Sequence, residues 1–136
     1  MRTVTMTAAA LLLSASCAYA DPDTLKAARE CADRSTECRS YVAEAERRQN
    51  AEAAVFSALA DLGRAIGLQY NCNGNEAAAM ERKAKAEFSA ALPGLEADVT
   101  SAVDRGIGSV SPAACQPLAV RQAMQRYSDK VAALRR

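Results

Sequence analysis

Histidine and tryptophan are absent from this chain of 136 residues, which has only two phenylalanines and four tyrosines. Without histidine, the chain lacks the usual general base and the commonest metal ligand. Ser-His-Asp and Cys-His catalysis are therefore excluded, and no phosphate-binding P-loop motif is present. We expect a protein that is not an enzyme and that uses neither a metal nor a cofactor.

Long apolar runs are also lacking. The apolar segment Val4–Leu13 is too short for a transmembrane helix, which needs about 20 residues. Arg2 precedes this segment and Ala18-Tyr19-Ala20 follows it, which is the pattern of a secretory signal that is cleaved after Ala20. The sequence therefore predicts a signal peptide over residues 1–20 and a periplasmic or secreted protein without a transmembrane segment.

Cys17 allows a second interpretation, in which the leader is processed as a lipoprotein signal and this cysteine is acylated. The lipoprotein pattern usually has leucine three residues before the cysteine, where this chain has Ser14. We therefore expect plain secretion, without a lipid anchor at Cys17.

The chain also lacks a large excess of positive or negative residues. Removal of Arg2 with the leader leaves 16 basic and 16 acidic residues. Proteins that bind nucleic acid carry a basic footprint, and anionic lipid attracts basic segments, so the balance disfavours both partners. The length of residues 21–136 predicts a single helical domain.

The remaining sequence is rich in alanine and shows apolar residues at helical spacing, without the alternation of a strand. It predicts an all-α fold: a small disulfide-stapled helical bundle with one long helix, a chain reversal at Pro93-Gly94 and a C-terminal helix. A kinked but continuous helix through Pro93 is the alternative. The predicted helices cover approximately residues 21–34, 36–69, 76–92, 95–106 and 116–135.

Four cysteines follow the leader: Cys31, Cys38, Cys72 and Cys115. An even number of cysteines in an exported chain indicates disulfides. The chain has no C-x-x-C motif, and no histidine that could complete a metal site with these sulfurs. We therefore expect two structural disulfides rather than a redox or zinc site.

The length of the long helix limits which cysteines can pair. It spans about 50 Å, so Cys72 lies far beyond the Cα separation of about 7 Å within which Cys31 or Cys38 could bond to it. A continuous helix through Pro93-Gly94 would carry Cys115 back to the N-terminal pair and leave Cys72 alone. A reversal there brings Cys115 to Cys72. Of the three possible pairings, we predict Cys31–Cys38 and Cys72–Cys115.

The composition favours a function that needs no catalytic group. The leading hypothesis is an exported protein that binds another protein, such as an inhibitor, an immunity protein or an envelope accessory protein. Tyr70, Asn71, Asn73 and Asn75 are the candidate contact residues, because a disulfide-fixed turn loses little entropy on binding. These residues also suit an ordinary polar turn.

Two other functions stay open. One is a periplasmic carrier or chaperone for apolar ligands, which would contain a buried apolar cavity on the order of several hundred Å³. The other is a structural protein of the cell envelope without a discrete site.

The segment around Cys38 suggests a further alternative. Glu37-Cys38, Tyr41, Ala45-Glu46 and Asn50 resemble the cysteine-centred helix of lysozyme-inhibitor proteins of the LprI type, which have an Ala-acidic pair and an asparagine at similar distances after a cysteine. Here Tyr41 is one position early, and Gln49 replaces an apolar residue. The resemblance implies a lysozyme-inhibitor-like protein.

Overall fold

The computed structural model describes residues 22–136. The predicted signal peptide, Cys17 and Asp21, the first residue of the predicted first helix, lie outside the described residues. Within them the chain forms five helices and no strand, which confirms the all-α prediction. The helices are α1 (Pro22–Cys31), α2 (Thr36–Tyr70), α3 (Gly74–Ala91), α4 (Glu96–Gly108) and α5 (Pro117–Leu134).

The chain breaks between α1 and α2, and this break lets Cys31 and Cys38 approach each other. The backbone N–H groups of Arg34 and Ser35 both donate to the Cys31 carbonyl, so α1 ends three residues earlier than predicted. The Ser35 hydroxyl accepts the backbone N–H of Cys38 at 3.4 Å, as an N-cap serine does. This turn brings the Cα atoms of Cys31 and Cys38 to 5.9 Å, and the two sulfurs are bonded.

The described residues divide into two compact units, residues 22–53 and residues 54–136. The first unit contains α1 and the N-terminal part of α2. It buries the side chains of Leu25, Ala28 and Ala45, and carries an exposed ion pair between Arg29 and Glu46 at 3.8 Å. The division leaves the single domain over residues 21–136 as a prediction.

The core of the second unit is formed by the apolar faces that the helical spacing predicts. The largest side chains that are fully buried are Leu59, Leu62 and Ile66 of α2, and Val99 and Val103 of α4. Burial of each such side chain contributes about 1.5–3 kcal/mol relative to its exposure to water. Phe88 of α3 and Tyr127 of α5 belong to the same cluster, so all four helices of this unit share one core.

The chain reverses at Pro93-Gly94, as predicted. Gly94 has a φ angle of 84°, in the region that favours glycine, and the Leu95 N–H donates to the Leu92 carbonyl at 3.1 Å. The Glu96 carboxylate accepts the Gly94 N–H at 3.0 Å. α3 and α4 then pack against each other. The alternative of one kinked helix through Pro93 is therefore wrong.

The end of α4 differs from the prediction. The sequence Gly106-Ile107-Gly108 suggests a loop, but α4 continues to Gly108. A methyl group at Gly106 would overlap the Ala60 carbonyl oxygen and lie 2.8 Å from the Cα atom of Gly63. α2 and α4 therefore cross with their backbones in contact, and the glycine serves this close packing instead of ending the helix.

Candidate functional site

The second disulfide joins two segments that are distant in the sequence. Cys72 and Cys115 have Cα atoms 4.5 Å apart and bonded sulfurs, which confirms the predicted pairing. We call residues 70–75 together with residues 111–118 the tip. It comprises the last residue of α2, the turn that follows, the first two residues of α3, most of the loop before α5 and the first two residues of α5.

Asn71 fastens the two segments of the tip in addition to the disulfide. Its Nδ2 donates to the Ser111 carbonyl oxygen and its Oδ1 accepts the Ala113 backbone N–H, both at 3.3 Å. Residues 111–115 of the loop before α5 form no backbone–backbone hydrogen bond with the described residues, so this carboxamide satisfies two of their backbone groups. Asn71, one of the predicted contact residues, thus has its polar atoms engaged within the tip.

Asn73 and Asn75 have different surroundings. Asn73 is the N-cap of α3, with φ −152° and ψ 99°, and its Oδ1 accepts the Glu76 N–H at 3.2 Å. This bond satisfies one of the backbone donors that are left over at a helix start. Asn75 lies in the first turn of α3 and is exposed. Of the three asparagines, only Asn75 has no hydrogen bond from its side chain among the described residues.

Tyr70 stands at the edge of the tip and is 38% exposed. Its hydroxyl donates to Glu81 Oε2 at 2.6 Å. Glu81 Oε1 accepts from Lys85 Nζ at 2.6 Å, and the same Nζ lies 2.6 Å from Asp104 Oδ1. A chain of charged and polar contacts from α3 and α4 therefore fixes the orientation of the Tyr70 ring.

The protonation of this network follows from its contacts. The hydrogen bond to Glu81 raises the pKa of the Tyr70 phenol, because only the neutral phenol can donate it. Lys85, followed by Tyr70, lowers the pKa of Glu81 by hydrogen bonding to its carboxylate. Asp104, followed by Glu81, raises the pKa of Lys85. All three groups therefore keep their neutral-pH charge states, and the network is a structural support.

Leu118 is a feature of the tip that the sequence analysis missed. It lies in the first turn of α5 and is 59% exposed, more than either of the exposed tyrosines. Residues 111–118 are exposed throughout. A signal was available in the sequence, because Leu118 is two positions before Val120 and nine before Tyr127, and therefore falls on the opposite side of the helix from both.

A concave surface of about 780 Å³ lies along the exposed side of α4. It opens widely to solvent, and its lining comes from one helix. This surface is not the enclosed apolar cavity that a carrier of apolar ligands would need. The residues that line it are Glu96, Ala97, Thr100, Ser101, Asp104 and Arg105.

Two further properties concern the described part of the chain alone. Residues 22–136 contain no group of three or more His, Cys, Asp or Glu side chains that could hold a metal ion. None of the five helices in this range has the length and apolar character required to cross a membrane.

Comparison of the chain with protein-family models, with curated proteins and with solved structures finds no match. The residues that resemble lysozyme inhibitors have local roles in the first unit. Ala45 is buried and Glu46 forms the ion pair with Arg29, whereas Tyr41 is 40% exposed. The lysozyme-inhibitor-like function stays a prediction.

Proposed function

We propose that this chain is an exported protein that acts by binding another protein through the tip. One observation carries the proposal: the tip is fastened by the Cys72–Cys115 disulfide and the two hydrogen bonds of Asn71, yet it exposes Tyr70 and Leu118. A surface with exposed apolar and aromatic groups on a fixed backbone is suited to a partner protein.

The fastening of the tip favours binding for an entropic reason. Association costs about 0.5–1.5 kcal/mol for each flexible side chain that it immobilises, and more when loops become ordered. The disulfide and the Asn71 hydrogen bonds already order the tip in the folded protein, so less conformational entropy is lost when it binds. The Glu81–Lys85–Asp104 network likewise restricts the Tyr70 ring before binding. This ring presents a large amphipathic surface with few rotatable bonds.

Export of the chain is proposed from the leader and the disulfides together. The sequence Ala18-Tyr19-Ala20 suits cleavage by a signal peptidase, and two disulfides are typical of an oxidising compartment. In that compartment a small helical binder without catalytic residues would act as an inhibitor, an immunity protein or an envelope accessory protein.

Affinity capture from envelope extract under non-reducing conditions tests the proposal. The baits are the wild-type chain, the double variant Tyr70→Ser with Leu118→Ser, and the control Tyr41→Ser, which alters an equally exposed tyrosine outside the tip. We expect one protein to be enriched by the wild type and by the control, and to be lost with the double variant.

Two results would contradict the proposal. Equal enrichment by the wild type and the double variant would show that the tip is not the binding surface. Lipid that copurifies with the wild-type chain, without an enriched protein, would support the carrier function instead.

A further inference from the structure

The tip contains an asparagine that is followed directly by glycine. The asparagines of the chain are Asn50, Asn71, Asn73 and Asn75, and of these only Asn73 precedes a glycine. Asn73 and Gly74 are both exposed, and a methyl group placed on Gly74 would meet no atom within 4 Å. Water therefore reaches the peptide bond between these two residues, and the glycine leaves its nitrogen uncrowded.

Such a pair can exchange the side-chain amide for a carboxylate without an enzyme. The Gly74 backbone nitrogen loses its proton to solvent and bonds to Asn73 Cγ, and Nδ2 leaves as ammonia. Water then opens the resulting five-membered imide. Opening at Cγ gives aspartate, and opening at the backbone carbonyl gives isoaspartate, in which the main chain continues through Cγ. Overall, one water is consumed, one ammonia is released, and no atom is oxidised or reduced.

The fold holds this pair in a conformation that cannot react. In the imide, Gly74 N and Asn73 Cβ stand on the same side of the Asn73 Cα–C bond, because both belong to one five-membered ring. At the observed ψ angle of 99°, these two atoms lie on nearly opposite sides of that bond. A large rotation about the Cα–C bond is therefore needed before Gly74 N can reach Cγ.

The first turn of α3 opposes this rotation. The Asn73 carbonyl oxygen accepts the Ala77 N–H at 2.9 Å, and Asn73 Oδ1 accepts the Glu76 N–H at 3.2 Å. Turning the Cα–C bond moves the carbonyl oxygen away from Ala77 and the helix start away from Oδ1. Both hydrogen bonds must therefore break before the reaction can begin.

The residues that precede Asn73 are held by the long-range disulfide. The Asn73 N–H donates to the Gln69 carbonyl at 2.8 Å, and the neighbouring Cys72 is bonded to Cys115. Without this disulfide, the two hydrogen bonds of Asn71, both at 3.3 Å, are the polar contacts of the described residues that remain between the turn and the loop before α5. We therefore expect local opening of the turn to become more frequent when the disulfide is absent.

We propose that Asn73 is a site of spontaneous deamidation, which the closed tip holds unreactive and which reacts when the Cys72–Cys115 disulfide is opened. Water is the co-reactant, and the nucleophile is the protein's own backbone. Cys115 is exposed, so an external dithiol can open the disulfide by exchange, in which the two protein sulfurs are reduced and the dithiol is oxidised. The inference does not depend on the proposed binding function.

The two products change the tip in different ways. Residues 70–75 and 111–118 contain no charged side chain, so either product introduces the first charge there. Aspartate keeps an oxygen that accepts the Glu76 N–H, and its negative charge is favourable at a helix start. Isoaspartate lengthens the main chain by one carbon atom and displaces the capping oxygen, so it weakens the start of α3.

Peptide mapping by mass spectrometry, after incubation in mildly alkaline buffer, tests the inference. The variant replaces Cys72 and Cys115 by alanine, and the matched control replaces Cys31 and Cys38, which removes a disulfide outside the tip. The temperature is one at which circular dichroism shows both proteins to be helical. We expect Asn73 to deamidate at least about tenfold faster in the variant than in the wild type or the control, because the rate follows the population of the open turn.

A measurement on the wild type keeps the inference testable even if the cysteine variant does not fold. Urea opens the first turn of α3 while both disulfides stay intact, and Asn73 should then react at least about tenfold faster than in buffer. Gly74→Ala should slow the reaction in urea, since its methyl group crowds the attacking nitrogen.

Three results would overturn the inference. Equal rates for the folded wild type and the chain in urea would mean that the fold does not protect Asn73. Equal rates for the two cysteine variants would mean that general destabilisation, and not opening of the tip, exposes this residue. Reaction at Asn71 or Asn75 as fast as at Asn73 would mean that the pair with Gly74 is not the site.

Discussion

Asn71, Asn73 and Asn75 occupy alternate positions where α2 is followed by α3, and they have three different roles. Asn71 bonds across the tip, Asn73 caps α3, and Asn75 projects from the first turn of α3. The sequence predicts a turn here, because asparagine and glycine are favoured in turns. It could not assign the roles, because the partners of Asn71 lie 40 and 42 positions away along the chain.

The Asn73 cap leads to a prediction about stability. Replacement of Asn73 by alanine removes the acceptor for the Glu76 N–H, and we expect the free energy of unfolding to fall by about 1 kcal/mol. Urea denaturation measures the change. Asn75→Ala is the matched control, and its effect should stay within about 0.5 kcal/mol of zero. Equal effects of the two substitutions would mean that the cap does not stabilise α3.

At the scale of the elements, the five helices could be predicted because their signals are local. Alanine-rich composition and apolar residues at helical spacing need no information from the rest of the chain. The end of α4 could not be predicted in this way. Gly106 suits either a turn or a close helix crossing, and only the approach of α2 at Gly63 decides between them.

The crossing of α2 and α4 gives the second prediction. A methyl group at Gly106 would overlap the Ala60 carbonyl oxygen, so Gly106→Ala should lower the free energy of unfolding by about 2 kcal/mol through overpacking. Thermal and urea denaturation test this. A methyl group at Gly108 meets no atom within 4 Å, so Gly108→Ala should be neutral or stabilise the helix by up to about 1 kcal/mol. If Gly106→Ala were also neutral, the backbones would not be in contact.

At the scale of the whole molecule, two disulfides of very different span support a chain that has few large apolar side chains. Cys31 and Cys38 are separated by 7 positions, and Cys72 and Cys115 by 43. Closure of a longer loop removes more conformational entropy from the unfolded chain. The long-range disulfide therefore contributes more to stability, and it also fastens the tip.

Removal of each disulfide in turn checks this difference. Replacement of Cys72 and Cys115 by alanine should cost about 4 kcal/mol of unfolding free energy, and replacement of Cys31 and Cys38 about 2.5 kcal/mol, according to the chain-entropy relation. Urea denaturation of the two double variants compares them directly. A larger loss from the Cys31–Cys38 variant would reverse the expected order and indicate that native contacts, rather than loop length, decide the effect.

The sequence by itself determined the all-α fold and, through the length of α2, the pairing of the cysteines. Both depend on local helical geometry: the rise per residue makes α2 about 50 Å long, and no rearrangement of side chains could bring Cys72 to Cys31. The chain reversal followed from the same length.

Only the tertiary structure decided which part of the surface stays exposed. The exposure of Leu118 and the fastening of the tip by Asn71 depend on distances between residues that are far apart in the sequence. Helical periodicity assigns a residue to one side of its own helix. It does not say whether that side is covered.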